Sequence, residues 1–141
     1  MNDRYFIDTN IFVYSFDNSN PDKRRIANEI IERGLRTASG VVSFQVIQEF
    51  LNVATRKFAT PLTHSDSLVY MSMVLRPLCN IHSSIALYDA ALELHHRFSI
   101  SFYDSCIVAA ARQSMCKVLY TEDLQHQMSF DELEVINPFL L

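Results

Sequence analysis

Short apolar runs alternate with longer amphipathic segments along this chain of 141 residues. Apolar runs at 5–7, 41–43, 78–81, 118–120 and 134–136 predict β-strands. Apolar residues recur at helical spacing between them, which predicts helices at 21–35, 44–58, 68–75, 85–98 and 104–115. One helix is expected to begin at Asn20-Pro21 and another to end before Pro77, because proline disfavours a helix interior. Strands that alternate with helices indicate an α/β fold with a parallel sheet.

Acidic residues follow two of the predicted strands at the point where each strand ends. Asp8 comes directly after the strand at 5–7, while Glu122 and Asp123 follow the strand at 118–120. The carboxyl ends of parallel strands form the crevice in which α/β proteins bind ligands. We therefore expect these carboxylates to lie at one edge of the sheet.

Two further acids are expected at the same edge. Asp104 lies in the first turn of a predicted helix, and Glu49 lies in the second turn of the helix after strand 41–43. Each acid also has an ordinary structural explanation. Asp8 is a residue type that caps helices or forms turns, and Ser101 with Asp104 resembles a capping box. Glu49 alone is typical of the polar face of an amphipathic helix, so the functional interpretation depends on the acids meeting.

A cluster of carboxylates is unfavourable unless a cation neutralises it, because like charges repel and raise one another's pKa. Mg²⁺ and Mn²⁺ take oxygen ligands and keep several waters. They are commonly held by one or two carboxylates together with phosphate oxygens of a substrate. The acids therefore indicate a divalent metal site that acts on a phosphodiester.

Four short motifs occur in order along the chain. They are Asp8-Thr9-Asn10, a helical Gln48-Glu49-Phe50, Phe102-Tyr-Asp-Ser-Cys-Ile-Val-Ala-Ala-Ala111 and Leu119-Tyr-Thr-Glu-Asp-Leu-Gln125. Together they resemble the PIN-domain nucleases, and among these the VapC-type toxins of prokaryotic toxin–antitoxin pairs. The resemblance covers essentially the whole chain. It implies a three-layer α/β/α sandwich with a central, mostly parallel sheet, and an endoribonuclease that depends on Mg²⁺ or Mn²⁺.

The resemblance also implies roles for individual residues and partners. Four acids would be catalytic: Asp8, Glu49, Asp104 and Asp123. Three of these would hold the metal: Asp8, Asp104 and Asp123. Supporting side chains would come from Thr9, Asn10, Thr121 and Glu122. Whether Glu122 or Asp123 is the fourth acid stays open at this point. The implied partners are RNA, an antitoxin protein and a second copy of the chain, contacted through apolar side chains around 68–75.

Composition narrows the class of protein further. With 49% hydrophobic residues a chain of this length can bury a core, and we expect one domain over 1–141. Two glycines exclude a P-loop and a dinucleotide-binding turn. Three cysteines without Cys-x-x-Cys spacing indicate neither a disulfide framework nor a zinc site. With no signal peptide pattern and no apolar run of membrane-spanning length, a cytoplasmic location without membrane contact is expected.

The formal net charge of −4 does not exclude an RNA partner. A bound metal would neutralise several acids, and basic side chains cluster in two segments, at Lys23, Arg24 and Arg25 and at Arg56 and Lys57. Such patches bind phosphate backbones, although the same side chains also occur on ordinary solvated helix faces.

Three alternatives to a toxin remain open from the sequence. The chain is compatible with a non-toxin PIN-fold nuclease. A non-catalytic module that binds RNA or protein is a second alternative, but such a module has no reason to keep four repelling acids. A haloacid-dehalogenase-like phosphatase also has an aspartate after its first strand, but it needs a second acid two residues later, where this chain has Asn10.

Overall fold

The computed structural model describes residues 3–140, so the expected domain limits at 1 and 141 lie outside the described residues. The strands in this part are β1 (Tyr5–Ile7), β2 (Gly40–Ser43), β3 (Cys79–Ile81), β4 (Val118–Tyr120), β5 (Ser129–Phe130) and β6 (Leu133–Ile136). The α-helices are α1 (Thr9–Tyr14), α2 (Pro21–Arg36), α3 (Phe44–Arg56), α4 (His64–Tyr70), α5 (Arg76–Leu78), α6 (Ile85–Phe98) and α7 (Phe102–Gln113). A π-helical turn covers Met71–Leu75, and a 3₁₀ turn covers Pro138–Leu140.

The strands form one sheet in the order β3–β2–β1–β4–β6–β5. Neighbouring strands are parallel except β5 and β6, which are antiparallel. The helices that precede β3 pack on one another, and α6 packs on α7. Because crossovers between parallel strands are right-handed in nearly all proteins, these two groups cover opposite faces of the sheet. The predicted α/β/α sandwich with a mostly parallel sheet is confirmed.

The order of the strands reverses between β1 and β4. The chain leaves β1 toward β2 on one side, whereas β4 lies on the other side. Ile7 pairs with Tyr120, so Asp8 and Thr121 emerge beside each other at the carboxyl edge of the sheet. The Asp8 N–H donates to the Tyr120 carbonyl at 3.1 Å. Open α/β sheets bind ligands at this kind of reversal point.

Aromatic packing holds α1 against α3. The rings of Phe12 and Phe50 lie 5.9 Å apart, and Phe16 lies 5.8 Å from Phe50 and 5.2 Å from Tyr70. Full burial of one such ring contributes roughly 1.5–3 kcal/mol. Because α3 carries Glu49, this packing fixes the position of that acid relative to the end of β1.

The expected end of a helix before Pro77 is wrong. The chain continues from α4 through the π-helical turn into α5, which contains Pro77. Within this turn the Arg76 N–H donates to the Met71 carbonyl, five residues back. The wider turn gives room to a proline ring that would clash with the preceding turn of a regular α-helix. The helical run therefore leads directly into β3.

Two smaller features differ from the sequence-based expectation. A separate short helix, α1, follows β1 directly, and β5 is too short for a recognisable apolar pattern. The helix predicted at 21–35 is confirmed, because α2 runs from Pro21 to Arg36. A Cβ at Gly34 would lie 3.0 Å from the Gly40 Cα, so this glycine lets α2 cross close to the start of β2. Among the described helices, none is long and apolar enough to cross a bilayer.

Candidate active site

Asp8 is a buried carboxylate at the centre of the carboxyl edge. It is the N-cap of α1, and its Oδ1 accepts the Thr9 N–H at 2.7 Å. Its Oδ2 accepts the Thr121 hydroxyl at 2.8 Å. Only 4% of the residue is exposed to solvent. The two donors therefore hold a nearly enclosed carboxylate in one orientation.

Asn10 connects this carboxylate to Asp123. Its Nδ2 donates to the Thr121 hydroxyl oxygen and to Asp123 Oδ2, both at 3.1 Å. The Asp123 N–H also donates to the Thr121 oxygen, at 3.0 Å. An acidic residue from the loop after β4 is thus joined to the residue that ends β1.

Glu49 reaches the same edge from α3. Its Oε2 accepts the Thr9 hydroxyl at 3.1 Å, and its Oε1 accepts the Gln45 amide at 2.7 Å. Gln45 also donates to the Tyr103 carbonyl at 3.3 Å, immediately before Asp104. Glu49 is exposed to solvent but is oriented on both oxygens.

Asp104 lies in the first turn of α7 and is half-buried. The cap of that helix is Ser101, whose hydroxyl oxygen accepts the Asp104 N–H at 3.0 Å. The predicted capping arrangement therefore forms through the Ser101 side chain and the Asp104 backbone. Within the described residues the Asp104 carboxylate forms no hydrogen bond or ion pair, and its charge raises the pKa of Asp123.

Burial, together with the charges of neighbouring acids, raises the pKa of two carboxyls in the cluster. Burial raises the pKa of Asp8 to about 7, and the charges of Asp123 and Glu49 add to this effect, against the lowering by its two hydrogen-bond donors. Burial also raises the pKa of Asp123, as do the charges of Asp104, Glu122 and Glu49, while its bond to Asn10 lowers it. The edge of the sheet thus concentrates negative charge that a cation would relieve.

Glu122 points to a different set of partners. Its Oε1 accepts the Tyr14 hydroxyl at 2.7 Å, and its Oε2 lies 3.2 Å from Lys23 Nζ. Lys23 Nζ also lies 4.4 Å from the centroid of the Tyr14 ring and 5.1 Å from that of Phe139. Of the two neighbouring acids after β4, it is Asp123 whose side chain joins the network around Asp8.

The PIN domain family model matches residues 5–131 of this sequence. The chain belongs to the PIN domain family. No curated protein sequence matches it significantly. The match extends from β1 to the turn between β5 and β6, so it includes all four acids described above.

Three solved structures have the same fold as this PIN protein at low sequence identity. A chain of a toxin–antitoxin complex from Klebsiella pneumoniae superposes with a TM-score of 0.66 at 20% identity, over 95% of this chain and 97% of that chain. The Mycobacterium tuberculosis toxin VapC20, described as cleaving the sarcin–ricin loop, gives 0.60 at 19% identity over 84% and 89%. VapBC2 from Rickettsia felis, bound to a DNA fragment of its promoter, gives 0.66 at 17% identity over 93% and 96%.

The oxygen donors of this PIN site fit a hard divalent cation. Asn10 Oδ1 is buried and accepts no hydrogen bond from the described residues, while the other atom of its amide faces Asp123. Within residues 3–140 no group of three or more Asp, Glu, His or Cys side chains is arranged to hold one metal ion. Such an ion would therefore take one or two carboxylates and complete its shell with water, as Mg²⁺ commonly does.

The PIN fold brings most of the sequence-predicted site residues together. Hydrogen bonds connect Asp8, Thr9, Asn10, Thr121 and Asp123, with Glu49 joined through Thr9. Of the predicted RNA-binding residues, Lys23 is engaged with Glu122, whereas the others are exposed on helix ends: Arg24, Arg25, Arg56 and Lys57.

Sequence reasoning did not identify Gln45 as part of the site. Gln45 orients Glu49 from one helical turn away, and it also contacts the first turn of α7. The sequence does contain a signal for this contact. Gln45 and Glu49 are four residues apart in a predicted helix, which places their side chains on the same side of it.

Proposed function

We propose that this PIN protein is a metal-dependent endoribonuclease and the toxin of a toxin–antitoxin pair. One observation carries the proposal: acids from the end of β1, from α3, from α7 and from the loop after β4 lie together at the reversal point of the sheet. A buried carboxylate whose pKa is raised by burial and by neighbouring acids is typical of a functional site. In a PIN family member, that arrangement supports hydrolysis of a phosphodiester.

In this proposal Asp8, Asp104 and Asp123 together hold one or two Mg²⁺ or Mn²⁺ ions, each ion taking one or two of these carboxylates, with the Asn10 amide oxygen available beside them. When bound, such an ion lowers the pKa of a water molecule and stabilises charge on the phosphate and the leaving oxygen. Thr121 and the Thr9 N–H keep the Asp8 carboxylate oriented. Glu49, fixed by Gln45 and Thr9, orients the attacking water.

The choice of RNA and of an antitoxin partner is supported by the structural relatives. Two of them are chains of toxin–antitoxin assemblies, and the third is a toxin described as cleaving an RNA loop. Exposed Arg24, Arg25, Arg56 and Lys57 supply cations for a phosphate backbone despite the net charge of −4. The enzyme would act in the cytoplasm, where its RNA is found.

A second copy of the chain is the proposed partner of the α4 region. Leu68, Val69 and Met73 are 58%, 60% and 67% exposed, although all three are apolar. Exposed apolar side chains grouped in one short segment are typical of an interface when they form a patch. A Leu68→Glu variant should shift the molar mass measured by light scattering from dimer to monomer. A wild-type chain that is already monomeric contradicts the proposal.

Cleavage of single-stranded RNA tests the nuclease activity. Mg²⁺ or Mn²⁺ should support cleavage, EDTA should abolish it, and Ca²⁺ should support it poorly because it tolerates looser geometry. Attack by water leaves a 5′-phosphate and a 3′-hydroxyl. Products with 2′,3′-cyclic phosphate ends that still form in EDTA would show that the metal mechanism is wrong.

Growth of a host tests the toxin role separately. Expression of the chain alone should stop colony formation, and expression together with the neighbouring gene should restore it. An active nuclease whose expression leaves growth unchanged would instead be a non-toxin PIN enzyme.

A further inference from the structure

A cavity of about 400 Å³ lies beside the acidic cluster, and none of the four acids lines it. The first turns of α3, α6 and α7 line it, with Ser43 and Cys106 among the buried residues of its wall. Gln45 also lines the cavity, and the same amide donates to Glu49 and to the Tyr103 carbonyl. The side chain of Gln45 therefore lies between the cavity and Glu49.

Aromatic rings form much of this cavity. Tyr88 and Phe102 are stacked at 28° with centroids 6.2 Å apart, and Phe102 contacts Tyr103 at the same distance. Tyr88 is 41% exposed and Tyr103 is 72% exposed, so both side chains are accessible from solvent. Among the described residues that line the cavity, none carries a charge. The lining is thus suited to a flat, neutral group rather than to a phosphate or a cationic side chain.

Two polar groups on the wall have unused hydrogen-bonding capacity. The Gln48 amide and the Ser83 hydroxyl line the cavity, and neither bonds to any residue in the described part of the chain. An amide offers donors and an acceptor together, as the edge of a nucleobase does. Stacking on exposed aromatic rings combined with such edge contacts is how proteins bind unpaired RNA bases.

We infer that this cavity binds one nucleobase of a single-stranded RNA whose phosphate lies at the acidic cluster. The inference rests on the proposed ribonuclease function and assigns a substrate subsite to it. Tyr88 and Tyr103 stack on the base, and Gln48 contacts its edge. A base inside a duplex cannot reach these rings, so the subsite selects unpaired RNA.

Binding of short RNAs tests the inference without requiring cleavage. All variants are made in the Asp104→Asn chain, which removes one repelling charge and is expected not to cleave. Fluorescence anisotropy measures the affinity for labelled octamers of A, C or U and for an octamer of the same backbone without bases. Tyr103→Ala and Tyr88→Ala should each weaken binding of a base-bearing octamer on the order of 10-fold. Neither should change the affinity for the abasic octamer.

Matched variants separate the ring from its hydroxyl and from general surface effects. Tyr103→Phe should bind like the parent chain, because the ring face is kept. Gln48→Ala should reduce the difference in affinity among the three homopolymers. Met115→Ala, which removes an exposed apolar side chain just beyond the opposite end of α7 and outside the cavity, should leave every affinity unchanged.

The result that overturns the inference is equal weakening of base-bearing and abasic octamers by Tyr103→Ala, or no weakening of either. In that case the cavity does not take a base, and a protein segment becomes the occupant to test. The readout is independent of catalysis. Absence of RNA cleavage by the wild-type chain would contradict the proposed function, whereas a loss confined to base-bearing RNA supports the subsite in either case.

Discussion

The Thr121 hydroxyl donates to Oδ2 of Asp8 at 2.8 Å, across the boundary between the two central strands. The same oxygen accepts from Asn10 Nδ2 and from the Asp123 N–H. A hydroxyl has one donor and two acceptor positions, so all three are used. Thr121 therefore orients the buried carboxylate and at the same time ties it to the loop that carries Asp123.

Replacing Thr121 with valine should test this role. Valine fills nearly the same volume but leaves Asp8 without its side-chain donor and the Asp123 N–H without an acceptor, and it removes one of the two acceptors of the Asn10 amide. Loss of a residue that orients a metal ligand typically costs about 10–100-fold in activity or metal affinity, and we expect RNA cleavage to fall in that range. Thr121→Ser keeps the hydroxyl and should keep most activity. Equal cleavage rates for the valine and serine variants contradict this role.

The raised pKa of Asp8 should make the stability of the protein depend on pH. Its pKa is raised from 3.8 to about 7 in the folded protein, so the folded state binds the proton more tightly than the unfolded chain does. The stability contributed by this proton is present below about pH 4 and is lost as the pH rises toward 7. In EDTA, Asp8→Asn should therefore be more stable than wild type at pH 8, on the order of a few kcal/mol.

Thermal melts of both proteins at several pH values check this expectation. The difference between Asp8→Asn and wild type should shrink as the pH is lowered toward 4.5. Addition of Mg²⁺ at pH 8 should favour wild type, because the ion binds only the protein that keeps the carboxylate. A stability difference that is the same at every pH would show that Asp8 titrates normally.

The position of the acids that follow strands can be predicted from the sequence, because it depends only on the residues directly before each acid. Asp8 directly follows three buried residues, and parallel strands bring their ends to a common edge whatever the helices do. The contact between Thr9 and Glu49 is different, since the two residues are 40 positions apart. It depends on how the Phe12 and Phe50 rings pack, and the periodicity of apolar residues does not specify such packing.

Neighbouring residues in a loop were harder to distinguish. Glu122 and Asp123 follow the same strand, and no strand or helix period fixes which side chain turns inward. The structure directs Glu122 to Lys23 and Asp123 to Asn10. The helix end predicted before Pro77 is wrong for a related reason. Proline disfavours a helix interior, but the π-helical turn before it gives its ring room, and the helical run continues.

Lys23 should behave as a structural residue rather than as an RNA contact. It is paired with Glu122 and lies over the Tyr14 ring, with about a third of its side chain exposed. Lys23→Ala should lower the free energy of unfolding by less than about 1 kcal/mol, because solvent screens a pair at this depth. Arg24 lies on the exposed side of the same helix. Arg24→Ala should leave the free energy of unfolding unchanged, weaken RNA binding and make that binding less dependent on salt concentration. Urea unfolding measures stability, and RNA titrations measure binding. If Lys23→Ala weakens RNA binding and Arg24→Ala lowers stability, this assignment is wrong.

A substitution of Asp104 can distinguish a catalytic role of this residue from a purely structural one. Its backbone N–H is bonded to Ser101, while its carboxylate contributes charge to the cluster. Asp104→Asn removes that charge and keeps the shape of the side chain. In EDTA the free energy of unfolding should rise, on the order of 1 kcal/mol. The gain should shrink in Mg²⁺, because wild type binds the ion better. RNA cleavage should nearly vanish.

Ser101→Ala is the matched variant for the same helix end. It removes the hydroxyl that accepts the Asp104 N–H and should lower the free energy of unfolding by about 0.5–2 kcal/mol, the usual cost of an N-cap. Its cleavage rate should stay near that of wild type at temperatures where it is folded, since no carboxylate is lost. Melts in EDTA and in Mg²⁺, paired with one cleavage assay, distinguish the two residues. An Asp104→Asn protein that is less stable than wild type, indifferent to Mg²⁺ and fully able to cut RNA would show that Asp104 serves only the helix.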